Sequence, residues 1–138
     1  MKKFFLTLFV LISCFVLTSC TFQSDKAAIL LNRHPITEKN IYDYEKSFPV
    51  GARIYYIILM PKKVESRYLY LQVIKNDNDY GRMGYDLIWT KDVRLKDEEV
   101  HYYTDYLVLN QKGFYTIRAY SKDNPHKTLA YYDFYVGN

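Results

Sequence analysis

The sequence predicts an all-β domain, an antiparallel two-sheet sandwich of about seven strands, set behind a removable leader and a short linker. Three observations lead there. All 16 tyrosines lie beyond Ile41, among many Ile, Leu and Val, and aromatic and β-branched side chains suit a pleated, half-buried surface. No segment sustains the 3.6-residue apolar repeat of an amphipathic helix. Clusters of turn formers recur at short intervals, at residues 76–81 (NDNDYG), 110–113 (NQKG) and 122–125 (KDNP).

The strands follow from the segments between those clusters. Residues 53–60 (RIYYIILM) are a continuous apolar run closed by Pro61, which predicts a central strand. Residues 67–75 alternate Leu69, Leu71 and Val73 with Tyr68, Tyr70 and Gln72. Residues 85–90 read as another strand, and residues 91–99 as no more than a single helical turn. Residues 100–109 give one or two strands, residues 114–120 the next and residues 128–136 the last. The β-domain is therefore expected over residues 40–138. Residues 20–39 read as a polar, irregular tether interrupted by a small apolar patch at residues 27–31 (AAILL).

The start of the chain has three parts. Met1-Lys2-Lys3 is basic, residues 4–16 are almost wholly apolar, and small residues precede Cys20. This is the layout of a secretory leader, and the apolar run is shorter than the ~20 residues of a membrane-spanning helix. Residues 1–19 are read as removed. Leu17-Thr18-Ser19-Cys20 resembles the bacterial lipobox, leucine and two small residues before cysteine. The resemblance covers only these first twenty residues. It implies that Cys20 receives a diacylglyceryl thioether, becomes the new N-terminus and is often N-acylated. Two or three acyl chains anchor stably where one is marginal. The resemblance thus implies a lipid-anchored protein of the bacterial cell envelope, with its domain outside the cytoplasm.

Cys14 would leave with the leader, so the mature chain would hold no disulfide and its core alone must stabilise it. A chain of about 119 residues buries enough surface for that. Without Lys2 and Lys3, 17 basic residues face 15 acidic ones. That balance gives no reason to expect nucleic acid as a partner.

Residues 107–119 (LVLNQKGFYTIRA) resemble the E–F corner of immunoglobulin-like and fibronectin-III-like domains. The resemblance implies that Gly113 opens the penultimate strand and that the Tyr115 hydroxyl bonds back to nearby backbone. Ile117 and Ala119 would follow Tyr115 into the core. The immunoglobulin cysteine pair is absent, and Trp89 does not fall where the usual core tryptophan stands.

Little in the sequence points to catalysis. His34, His101 and His126 have no metal-ligand spacing, and no serine sits in a Gly-x-Ser-x-Gly context. The acidic run at residues 96–99 (KDEE) reads as a solvated loop. Residues 76–81 (NDNDYG) have a faint look of the start of an EF-hand loop, but the match is incomplete, because Ile88 stands at the twelfth position counted from Asp77. No enzyme activity, metal or cofactor is expected, apart from covalent lipid on Cys20.

Alternation carries more information. With Leu69, Leu71, Val73, Tyr115, Ile117, Ala119, Ala130, Tyr132, Phe134 and Val136 inward, their neighbours point out. One sheet face then holds Tyr68, Tyr70, Phe114, Tyr120, Tyr131 and Tyr135, with Arg118 and Asp133 available to pair. Tyrosine and arginine patches suit protein docking, while exposed tyrosine pairs also stabilise ordinary sheets. The expected function is non-enzymatic binding of another envelope protein, as an adaptor or accessory subunit. The alternative is a surface-exposed ligand or carbohydrate binder in which Trp89 and tyrosines stack on sugar rings.

Overall fold

The computed structural model describes residues 26–61, 67–76, 84–99 and 101–137. The leader, Cys20 and most of the 76–81 turn lie outside the described residues. Among the described residues eight strands form: β1 (Ala28–Asn32), β2 (Ser47–Pro49), β3 (Arg53–Leu59), β4 (Tyr68–Lys75), β5 (Asp86–Arg94), β6 (Tyr102–Val108), β7 (Gly113–Ser121) and β8 (Asn124–Gly137). No α-helix occurs among the described residues, and no helix there is long and apolar enough to cross a membrane.

The strands make two sheets, β1-β3-β6 and β2-β8-β7-β4-β5. Strand β3 runs through the centre of the smaller sheet, and β7 and β4 lie inside the larger one. With β5 added beside β4, this order is that of an immunoglobulin-like β-sandwich. Period-two burial explains it. Leu31, Ile54, Tyr56 and Ile58 of one sheet and Leu69, Leu71, Val73, Ile117 and Ala119 of the other lose all their exposed surface. They belong to one apolar core cluster.

Several boundaries differ from expectation. The tether expected over residues 20–39 ends earlier, because Ile29 and Leu31 alternate with Ala28 and Leu30 and bury as β1 against Ile58 and Tyr56. After β1 the chain is pinned rather than free. Asn32 Nδ2 donates to the Asp43 carbonyl at 2.7 Å, and Arg33 Nε lies 2.6 Å from Glu45 Oε2. The all-antiparallel expectation fails at β2, which pairs parallel to the end of β8. Strand β5 runs on to Arg94, because Val93 and Leu95 bury, so only residues 97–99 form a 3-10 turn. Strand β8 begins at Asn124, and Pro125 is accommodated where the β7–β8 register is already irregular.

The β6–β7 corner is fixed by Tyr115. Its hydroxyl donates to the Gln111 carbonyl at 2.8 Å, while the ring stacks on Phe134 at 5.8 Å. Phe134 in turn meets Phe48 edge-on at 6.0 Å, which closes the β2 side of the sandwich. Gly113 suits this corner, because its φ of 152° is one that L side chains rarely adopt.

Tyr115→Phe keeps the stacked ring and removes the corner hydrogen bond. It is expected to lower stability by about 1 kcal/mol, read from the urea midpoint of the folded domain. An unchanged midpoint would show that the corner is held by packing alone.

Candidate functional site

Strands β8, β7 and β4 are consecutive neighbours, so their outward residues form rows across one face. Phe114 faces Tyr135, with ring centroids 5.0 Å apart. Tyr120 faces Tyr70 at 6.3 Å. Arg118 stands between Tyr131 and Gln72. Tyr68 lies at the end of β4, with Lys122 Nζ 5.8 Å above its ring. Phe114 and Tyr131 are 64% and 65% exposed and Tyr68 is 42% exposed. Tyr70, Arg118, Tyr120 and Tyr135 are half-buried in the same surface.

Arg118 and Asp133 do not pair with each other. In register, Asp133 lies opposite Thr116 and accepts its hydroxyl at 2.6 Å. Arg118 instead sits over the Tyr85 ring at 5.9 Å. Asn76 Nδ2 donates to Thr116 Oγ1 at 2.9 Å. Thr116 and Ile74, opposite each other and both buried, form a small closed centre on this outward face. The aromatic groups therefore surround a tied-down polar row rather than an ion pair.

Trp89 does not project into solvent. It faces Val73 across the β4–β5 ladder, on the inward side, and packs half-buried against the core. Leu87 and Ile88, displaced by the bulge beside it, are the exposed apolar residues of β5. Cys20 lies outside the described residues. Among the described residues, no three His, Cys, Asp or Glu side chains cluster as a metal site. His101 Nδ1 sits 3.2 Å from the Met60 carbonyl oxygen. Residues 97–99 form an exposed turn that Arg67 meets through Asp97 at 2.7 Å.

The structure adds a second aromatic face. On the three-stranded sheet the outward rows are Ala28–Leu59–Tyr102, Leu30–Ile57–Thr104, Asn32–Tyr55–Tyr106 and Arg53–Val108. Tyr55 and Tyr106 lie 5.9 Å apart, and the Arg53 guanidinium covers Tyr106 at 5.0 Å. Tyr102, Tyr106 and Val108 are exposed. The alternation of Tyr102, Thr104, Tyr106 and Val108 against Tyr103, Asp105 and Leu107 was the available signal. The apolar continuity of β3 obscured it, since both faces of that strand look like core.

Between these faces, the side of the sandwich opposite β1 and β2 is bounded by edge strands β5 and β6. Each turns a charge inward there. Lys91 Nζ donates to Asp105 Oδ2, Tyr103 Oη donates to the same oxygen at 3.1 Å, and the Tyr106 amide donates to Asp105 Oδ1 at 2.9 Å. The fully buried Tyr56 hydroxyl lies beneath, with the Tyr56 and Tyr103 rings 6.3 Å apart. Burial pushes the Tyr56 and Tyr103 hydroxyls above their ordinary range. Burial also acts to raise the Asp105 carboxyl. The hydrogen bonds from Lys91 and the Tyr106 amide outweigh it, so Asp105 titrates below its ordinary value. The hydrogen bond to Asp105 raises Lys91. Inward charge on an edge strand also resists the addition of another chain to that edge.

No family model matches the sequence, and no curated protein matches it. Among solved structures, the PmoD soluble domain from a Methylocystis species is 14% identical with a TM-score of 0.48, covering 85% of this chain and 95% of that one. The CARDB domain of a Pyrococcus furiosus protein, solved in complex with di-metal ions, is 19% identical at 0.42, covering 80% and 85%. A β-glucosidase from Listeria innocua is 11% identical at 0.44, and the match covers 81% of this chain but 16% of that one. All three scores fall below 0.5, and the sandwich is established by its own strand order.

The Lys91–Asp105 bridge sets a pH dependence. Asp105 has a folded pKa below its unfolded one, so its contribution is complete above the unfolded value, about 4, and is lost as pH falls through the folded value. Lys91 is raised, so its contribution is lost only as pH climbs through a folded value above about 10.4. Asp105→Asn is expected to cost about 1 kcal/mol at pH 7. The difference from wild type should shrink below pH 4 in urea titrations, and a pH-independent difference would contradict the assignment.

Proposed function

We propose that this chain is a lipid-anchored, non-enzymatic binding domain of the bacterial cell envelope, an adaptor or accessory subunit that docks a partner protein. The docking surface is the outer face of the five-stranded sheet. One observation carries the reading. Three adjacent strands present Phe114, Tyr131 and Tyr68 to solvent beside Arg118, with Tyr70, Tyr120 and Tyr135 filling the same surface. Large aromatic groups on a rigid ladder offer contact area at low entropic cost, and such residues dominate interface energetics. The anchor follows from the lipobox-like Leu17-Thr18-Ser19-Cys20. A carbohydrate surface fits less well, because Trp89 is half-buried against the core.

Exposed aromatic pairs on a sheet also stabilise it, each by about 0.2–1 kcal/mol. Binding and stability therefore have to be separated. A photoreactive amino acid at position 131, in cells, is expected to give a discrete protein adduct that the same group at position 126 does not give. Tyr70→Ser with Phe114→Ser should weaken partner binding by about tenfold or more, and the adduct should fade while the domain stays folded. An adduct of undiminished yield from the folded double variant would remove this face as the interface. For the anchor, fatty-acid incorporation should disappear in Cys20→Ala. Persistence of the label there would place the lipid elsewhere.

A further inference from the structure

The outer face of the three-stranded sheet has eleven positions, and only Arg53 among them carries a charge. Its aromatic members, Tyr55, Tyr102 and Tyr106, are amphipathic rings of the kind that settle at a membrane–water boundary. Its occupant is indicated by where the chain leaves the domain. Strand β1 is an edge strand of this sheet and begins at Ala28. Seven residues separate it from Cys20, eight Cα steps that reach roughly 28 Å when fully extended. Acyl chains on Cys20 would therefore hold the bilayer within one domain's width of this face.

The orientation on that short leash is decided by what each surface costs to dehydrate. The end of the sandwich from which the tether leaves consists of charged turns. Lys96, Asp97, Glu98, Lys122 and Asp123 are all exposed there, placed together by the Leu95 amide bonding to the Arg67 carbonyl and the Lys122 amide to that of Tyr68. Pressing these groups into a headgroup layer strips water from charges of both signs. The outer face of the five-stranded sheet carries Arg118, Asp92 and Asp133. Apart from Thr104 and the buried Asn32, the three-stranded face has aliphatic and tyrosine side chains, of which Ile57 is buried, and its one cation suits anionic headgroups.

We infer that this face rests on the lipid bilayer, with Tyr102 and Tyr106 at headgroup level, and that the five-stranded face is thereby turned away from the membrane. The inference rests on the lipid anchor proposed above. Each of the two aromatic faces would then have its own occupant, lipid for one and a protein for the other.

The test uses the acylated chain, produced from its full sequence and reconstituted into vesicles of phosphatidylethanolamine and phosphatidylglycerol containing bromine-labelled phospholipid. Tyr106→Trp and Tyr131→Trp place a reporter on either face, and the wild-type chain calibrates the shared Trp89. Tryptophan emission should fall on bromination in Tyr106→Trp and stay at the wild-type level in Tyr131→Trp. Equal quenching of the two, or stronger quenching at position 131, overturns the inference. Concentration-dependent crosslinking of two chains through position 106, with no quenching, also overturns it by giving the face to a second copy. Flotation keeps the two readings apart. A chain that fails to float with vesicles refutes the anchor and the inference together, whereas one that floats without quenching at position 106 refutes the inference alone.

Discussion

Register is the constraint on which the rest of this molecule depends. Leu69, Leu71 and Val73 face Ser121, Ala119 and Ile117 across the β4–β7 ladder, and Ile117 and Ala119 face Tyr132 and Ala130 across β7–β8. Because side chains alternate with period two, a slip of one residue would send the tyrosines into the core and the aliphatic residues to water. The apolar set holds the register, and the register puts Phe114, Tyr131 and their neighbours on one surface. Packing and candidate function are thus two consequences of the same alternation.

The sides of the sandwich are closed by different means. On one side, β1 and β2 lie in different sheets, and Phe48, Phe134 and Tyr115 form a row of ring contacts running inward from β2. On the other, Lys91 and Asp105 bridge the sheets with Tyr103 attached. A bridge of this partly exposed kind adds modest stability. Its larger effect is on what the edges can join, since a chain adding to β5 or β6 would approach inward-pointing charge. The aromatic faces stay available while the edges are guarded.

Much of this was legible in the sequence where alternation was clean. Strands β4, β7 and β8 show it, so alternation alone puts their outward residues on one face. The corner at Gly113 and Tyr115 was legible as a local motif. Less clear segments failed for physical reasons. Residues 28–32 are only five long and followed by polar residues, so a core strand resembled a tether. The run at residues 53–59 is apolar on both sides, which hid the outward Tyr55, Ile57 and Leu59. Trp89 sits next to a bulge, and only the ladder reveals that it points inward while Leu87 and Ile88 do not. The expected Arg118–Asp133 pair failed because Asp133 lies directly opposite Thr116 and Arg118 only diagonally from it.

The proposals together give a two-faced domain that would lie on lipid through one sheet and offer the other to a protein. The most direct measurement is thiol accessibility on the outward face in the native envelope. If, as proposed, Cys20 is acylated and Cys14 leaves with the leader, a cysteine replacing Tyr131 is the sole free thiol of the mature chain. Its maleimide labelling should be slow in intact envelopes and fast after detergent extraction, while a cysteine replacing His126 reacts quickly in both. Equal labelling of position 131 before and after extraction would mean that nothing covers the aromatic face, and that its tyrosines serve the sheet alone.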